Sequence, residues 1–218
     1  MIMVVFIVSI DGPDFSGKTT ISNILVELLR RKIPSKADIV IRRTKLPSNE
    51  LVTGSFTGIL RSLRIEIAPE EYSLAYALDH LHYYRLKIRP LERCKQKFLV
   101  IQERSLLTTF IYQGLIGGVD MNWLREVNKY CRAIPHITFI LKVDINELIR
   151  RMYIEGRVTD AFESESHIRK QASTYYNLPK DLLEEFNVKY VDATREPFDV
   201  AKDVCNTVIE ELRRRNWI

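Results

Sequence analysis

The 218-residue chain has little of what builds irregular or cross-linked architectures. With 8 glycines and 8 prolines, it cannot be collagen-like, elastic or a proline-rich linker, so any glycine cluster is informative. The 3 cysteines, Cys94, Cys131 and Cys205, lie far apart with no C-x-x-C spacing. That excludes a disulfide framework and a zinc site of the usual spacing, and fits a reducing, cytoplasmic setting. The opening MIMVVFIVSI is too short to span a bilayer and lacks the cationic flank and small-residue cleavage site of a secretory signal. It reads as a buried strand, and no membrane partner is expected. Basic residues are not interleaved with aromatics, and the run Arg213 to Arg215 ends a helix, where cations complement the dipole. No nucleic-acid surface is expected either.

What is present is the pattern of a parallel sheet covered on both faces. Short β-branched runs at 3–10, 37–43, 98–103, 136–143 and 188–192 alternate with helical periodicity over 50–66, 70–93, 105–114, 121–132, 144–155 and 163–186. A first helix carries the apolar stripe Ile21, Ile24, Leu25, Leu28 and Leu29, and a last one carries Val200, Val204, Val208, Ile209 and Leu212. No repeat, low-complexity tract or linker marks a boundary, so residues 1–218 are expected to form a single doubly wound α/β domain. The net charge of +5 suits an anionic ligand.

The strongest motif is Gly12-Pro-Asp-Phe-Ser-Gly17-Lys18-Thr19, the spacing G-x-x-x-x-G-K-[ST], between the first strand and the first helix. Successive N–H groups and a helix N-terminus make an anion-binding nest there, and glycine lets backbone approach phosphate oxygens. Gly12, Ser16, Gly17, Lys18, Thr19 and Thr20 are therefore the expected ATP contacts. Lys18 would reach the β- and γ-phosphates, and Thr19 would offer its hydroxyl to Mg²⁺ on the nucleotide. A P-loop alone does not choose among ATPases, switches, motors and small-molecule kinases. The absence of N-K-x-D and of a long strand ending in paired acids argues against a switch or a motor.

A second constellation follows the strand ending in Ile101-Gln102: Glu103-Arg104-Ser105-Leu-Leu-Thr108-Thr109-Phe-Ile-Tyr112-Gln113-Gly114. On a helix, Thr108, Thr109, Tyr112 and Gln113 share one face, and Leu106, Leu107, Phe110 and Ile111 share the other. Glu103 and Arg104, at the carboxyl end of a strand beside the P-loop strand, would face the crevice where open α/β sheets bind ligands. On the preceding long helix, Tyr76, His80, Tyr83, Tyr84 and Lys87 share a side, an aromatic and basic face suited to a nucleoside monophosphate.

Over nearly its whole length the chain resembles the thymidylate kinases. Residues 103–114 are similar to the family's D-R-Y-x-x-S-x-x-A-Y-Q-G, and Gly12 to Thr20 match its P-loop, G-x-[DE]-x-x-G-K-[ST]-T, with Asp14 at the acidic position. Thr44-Lys45-Leu46-Pro47 resembles T-R-E-P, Tyr76 to His80 resembles F-x-A-D-R, and Val191-Asp-Ala-Thr194 resembles the closing strand and adenine loop. The resemblance implies a three-layer P-loop kinase fold with a five-stranded parallel sheet and helices on both faces. It implies ATP as donor, dTMP as acceptor, Mg²⁺ as cofactor, and a homodimer. Arg104 would bind the acceptor phosphate, Glu103 would hold Mg²⁺, Tyr76 would stack on the base, and Lys45, His80, Thr108, Thr109, Tyr112 and Gln113 would complete the acceptor pocket. Asp14 would stand between sugar and phosphates.

The arginine-rich segment at 150–157 resembles the family's lid, near 150–165. In that family a charge-stabilising arginine comes from the P-loop or from the lid; with Phe15 at the P-loop position, the resemblance implies that the lid supplies it, Arg157 first and Arg151 second. Three positions depart from the family pattern: Glu103 replaces aspartate, Ser105 a tyrosine, and His80 an arginine on the acceptor phosphate. A phosphate beside His80 would raise its pKa and make dTMP binding weaken as pH rises. If His80 only packs against its neighbours, Arg85 or Arg89 would reach the phosphate instead. Glu-Arg-Ser also resembles the deoxyribonucleoside kinases, which phosphorylate an uncharged nucleoside and are the alternative. A non-catalytic nucleotide-binding regulatory module is a second.

Overall fold

All seven residues of β1 (Val5–Asp11) are buried, as a strand covered on both faces requires. In the computed structural model, which describes residues 3–48, 50–63, 66–155 and 164–218, β1 lies at the centre of a five-stranded sheet. The others are β2 (Ile39–Lys45), β3 (Lys97–Glu103), β4 (Ile137–Lys142) and β5 (Val188–Asp192), in the order β2-β3-β1-β4-β5. Every pairing is parallel. On one face, α1 (Lys18–Lys32) and α10 (Pro197–Arg214) bring Ile21, Leu25, Leu29, Val204, Val208 and Leu212 onto Phe6, Val8 and Ile10. The opposite face carries α3 (Pro69–Tyr83), α5 (Leu106–Thr109), α8 (Glu165–Tyr176) and α9 (Lys180–Glu185), after α2 (Val52–Ser62) has left the sheet edge. These are the three layers that the strand pattern predicts, and each strand lies within two residues of its expected span.

The long helices depart from the simple periodicity. The helix expected over 70–93 is α3, a π-helical turn over Tyr84–Ile88, and α4 (Arg89–Glu92). Pro90 removes a backbone donor from this stretch and crowds the preceding turn, and the wider turn absorbs it. The single helix expected over 163–186 is two, α8 and α9, parted at Asn177, Leu178 and Pro179. Proline disfavours helical backbone at the residue before it, so α8 ends and α9 starts afresh at Lys180. The helix expected over 105–114 is α5 followed by a π-helical turn, Phe110–Ile116. A Cβ at Gly114 would collide with Met121 Sδ, so glycine lets this turn pack on α6 (Met121–Asn128).

Parallel register positions the site. Ile10 stands beside Glu103, and Lys45 stands beside Glu103 on the other side. The Arg104 N–H donates to Ile10 O at 3.0 Å. The carboxyl ends of β2, β3 and β1 therefore converge on the turn that follows β1. β2 is an edge strand and carries Arg42, Arg43 and Lys45, charges that discourage edge-to-edge pairing.

Candidate active site

Between β1 and α1 the chain needs backbone that side-chain-bearing residues resist. Gly12 has φ 137° and Gly17 has φ 89°, and a Cβ at Gly12 would lie 3.0 Å from Ser16 Oγ. Ser16 Oγ is buried and has no hydrogen-bond partner among the described residues, an orphan donor of the kind a phosphate oxygen satisfies. Lys18 is buried, and its Nζ donates to Gly12 O at 3.1 Å and Pro13 O at 2.6 Å. Burial, then the neighbouring Arg104, lowers the Lys18 pKa to about 8, against the opposing pull of Asp14, Asp11 and Glu103. Thr20 is exposed.

The Thr19 hydroxyl donates to Glu103 Oε1 at 2.9 Å. Burial alone would raise the Glu103 pKa, but Lys45 and the Thr19 hydrogen bond outweigh it and keep the carboxylate ionised. A hydroxyl and a carboxylate in contact form an all-oxygen donor pair fit for a hard divalent cation. Among the described residues no group of three or more His, Cys, Asp or Glu converges to hold a metal. The hydroxyl–carboxylate pair fits Mg²⁺, which is usually held by one or two protein oxygens together with substrate phosphates.

Arg104 adopts φ 64°, the left-handed backbone that non-glycine residues rarely take outside functional sites. Its guanidinium pairs with Asp14 and lies 5.8 Å from the centre of the Tyr112 ring. Asp14 is held from four sides. Its N–H donates to Gln171 Oε1 at 3.0 Å, while Gln171 Nε2 and the Tyr112 hydroxyl donate to Oδ2 at 3.1 and 3.3 Å. Burial would raise its pKa, yet Arg104 and then Lys18 hold the carboxyl well below the usual range. Below it, Asp11 accepts from Thr108 and Tyr175, each at 2.8 Å.

A cleft opens from this pair. One wall carries Tyr72 and Tyr76, stacked at 6.3 Å, with Arg61 and His80 beside them. Facing them are Thr108, Thr109, Tyr112 and Gln113, with Leu46 and cis Pro47 nearby. Aromatic rings, a hydroxyl and amide wall, and a cation at the inner end suit a planar base linked to a phosphate. Asp14 joins this cleft to the glycine turn: it lines the cleft, and Lys18 Nζ lies 3.9 Å from its Oδ1.

A family model described as thymidylate kinase matches residues 10–204. The chain belongs to the thymidylate kinase family. It is similar to a probable thymidylate kinase of Methanocaldococcus jannaschii, 30% identical over 203 residues that cover 93% of each chain. One from Pyrobaculum calidifontis is 30% identical over 213 residues, covering 95% of this chain and 99% of that one. One from Pyrobaculum aerophilum is 28% identical over 209 residues, covering 94% and 97%.

Against the thymidylate kinase pattern, the structure gathers Asp14, Tyr76, His80, Arg104, Thr108, Thr109, Tyr112 and Gln113 around one cleft. Lys45 is not among the lining residues; its Nζ is 3.3 Å from Glu103, because strand register sets it beside that carboxylate. Tyr83 and Tyr84 turn away from the cleft, to Thr44 and Glu92, and Lys87 pairs with Glu50. Arg85 and Arg89 are exposed and do not line the cleft either. On α7 (Ile145–Glu155), Arg151 Nη1 donates to Phe15 O at 3.3 Å and Nε to Glu147 at 2.8 Å. Arg157 lies outside the described residues. Sequence reading missed Arg61, Tyr72, Gln171 and Tyr175. Gln171 and Tyr175 are four apart on α8 in a buried stripe with Ile168 and Ala172, and a glutamine in such a stripe is the signal that could have found them.

In the free protein His80 is buried with Nε2 3.0 Å from Thr109 Oγ1, and burial, against a smaller pull from Asp79, lowers its pKa to about 4; the rise expected beside a phosphate concerns the complex. At neutral pH the ring is an uncharged hydrogen-bonding wall of the cleft. Because the folded pKa lies below the ordinary 6.5, the ring stabilises the fold above pH 6.5, and this contribution is lost as pH falls toward 4. The loss is up to about 3 kcal/mol. Urea unfolding at pH 7, 5 and 4 should show a smaller fall for His80→Gln than for wild type; parallel falls would refute the assignment.

Proposed function

We infer that the protein is a thymidylate kinase, transferring the γ-phosphoryl group of ATP to the 5′-phosphate of dTMP to give dTDP and ADP for DNA precursor synthesis. The observation that carries this reading is the Arg104–Asp14 pair at the junction of the P-loop and the aromatic cleft. It supplies a fixed cation where the acceptor's phosphate would meet the donor's. Gly12, Ser16 and Gly17 cradle the donor phosphates, and Lys18 turns from the Gly12 and Pro13 carbonyls onto them. Tyr76 stacks on the base, and Thr108, Thr109, Tyr112 and Gln113 hydrogen-bond the nucleoside. Thr19 and Glu103 hold the metal side; when bound, Mg²⁺ neutralises charge on the β- and γ-oxygens. Arg151, already on the P-loop through Phe15 O, is the lid-side arginine best supported for meeting charge on the transferring group, with Arg157 the other. The chemistry is positioning and charge neutralisation; residues 156–163 of the lid expected near 150–165 lie outside the described residues.

The deciding assay follows ADP release with ATP and dTMP, dUMP, dCMP, dGMP or unphosphorylated thymidine. dTMP should be fastest. Thymidine outpacing dTMP would favour the deoxyribonucleoside kinase alternative, and no acceptor-dependent ADP would favour the non-catalytic one.

The whole chain would act as one kinase domain, in the cytoplasm. Among the described residues no helix is long and apolar enough to cross a membrane. The active form would be a homodimer through α2 and α3, where Val52, Ile59, Leu74 and Leu78 are 82%, 57%, 53% and 51% exposed. These are apolar side chains that such an interface would cover. Light scattering should give twice 25.6 kDa, and Leu78→Glu should give the monomer. A monomeric wild type would overturn this assignment.

A further inference from the structure

The metal-side carboxylate is gripped by an edge-strand residue outside every motif above. Side chains alternate along β2, so Arg43 and Lys45 both point to the α1 face, where Glu103 lies. Arg43 Nη2 donates to Glu103 Oε2 at 2.9 Å. Its Nε donates to the buried Ser22 hydroxyl at 2.9 Å, and that hydroxyl donates to Thr19 O at 3.0 Å. Thr19 then closes the circuit through its own hydroxyl to Glu103 Oε1 at 2.9 Å. Four residues from α1, β2 and β3 thus form a closed ring of hydrogen bonds around the two oxygens that would face the cation. Lys45 also reaches Oε1, at 3.3 Å, but its side chain is 47% exposed and has no second anchor among the described residues, whereas Arg43 is 31% exposed and doubly anchored.

We propose that Arg43, with Ser22, is a positioning residue for the metal side of the reaction. By occupying Glu103 Oε2 it turns Oε1 onto Thr19 and fixes where the divalent cation of the nucleotide sits. The added methylene of glutamate, relative to aspartate, provides the reach to satisfy Arg43 and Thr19 together. The inference rests on the reading of the protein as a Mg²⁺-nucleotide kinase. Partners that orient a metal ligand typically contribute about 10- to 100-fold in metal affinity.

The test measures Mn²⁺ binding with ADP present, by loss of the free-ion electron paramagnetic resonance signal beyond that caused by the same ADP without enzyme, alongside the Mg²⁺ dependence of the rate. Arg43→Met should weaken Mn²⁺ binding about tenfold and raise the Mg²⁺ midpoint about as much, with the KM for dTMP unchanged. Ser22→Ala should give a smaller shift in the same direction, and Arg43→Lys, which keeps charge but not the fork, should recover only part. A lower Mg²⁺ requirement in Arg43→Met would mean that Arg43 merely repels the cation, and an unshifted midpoint with reduced thermal stability would mean a structural role only. Either result overturns the proposal. A wild-type enzyme that takes up no Mn²⁺ with ADP would instead overturn the kinase reading beneath it.

Discussion

Lys18→Ala is expected to lower turnover at least a hundredfold while leaving the fold intact. Removing one preorganised charge from a phosphoryl-transfer site costs about 10²- to 10³-fold, because the charge matters most in the transition state. Among the described residues, Lys18 of the free protein contacts the carbonyls of Gly12 and Pro13 and lies 3.9 Å from Asp14. Its burial already opposes its charge, so its loss should move the unfolding midpoint little. The lowered pKa of about 8 also predicts a pH effect. The free enzyme loses this proton as pH rises through 8, so kcat/KM for ATP should fall there. Bound triphosphate restores the proton, so kcat should persist to higher pH. Turnover within tenfold of wild type, with the fold intact, would refute the role.

The second large effect concerns Arg104. Arg104→Met should reduce kcat/KM for dTMP about a thousandfold, within the 2–5 kcal/mol lost when one partner of a buried, hydrogen-bonded charge pair is truncated. It should also destabilise the fold by about 3 kcal/mol, the low end for breaking a buried pair, because Gln171, Tyr112 and Lys18 still reach Asp14. The Asp14 pKa is depressed in the folded state, so the pair stabilises above the ordinary carboxylate range, and that contribution fades as pH falls through the folded value. The deficit of Arg104→Met should therefore shrink below about pH 4. Asp14→Asn combined with Arg104→Met should regain stability but not activity. Recovery of activity in the double variant would show that Arg104 serves only to satisfy Asp14.

The donor half of the site was legible from local sequence. A P-loop is contiguous, its glycines are demanded by backbone angles at Gly12 and Gly17, and its strand and helix announce themselves by periodicity. One wall of the cleft was legible for a similar reason: Thr108 and Tyr112 share a face of an α-helix, and Gln113 adjoins them where the helix widens into a π turn after Thr109. Sequence position reports neither direction nor solvation, which is why the surroundings of Lys45 and His80 in the free protein were not legible. Lys45 is drawn to Glu103 by strand register, and His80 is discharged by burial. The two helices read as one at 163–186 show Pro179 overriding an otherwise continuous apolar stripe.

By itself, then, the sequence determined the five parallel strands, the glycine turn after the first of them, the family, and the residues of one helix that line the cleft. Each is written in spacing along the chain. Only the tertiary structure decided that Gln171 and Tyr175 reach back to the P-loop, that Arg61 and Tyr72 join the cleft, and that Arg43 grips Glu103. Those contacts join residues up to 164 positions apart. They depend on which strands are neighbours, on their register, and on what burial does to a charge, none of which is expressed in local pattern.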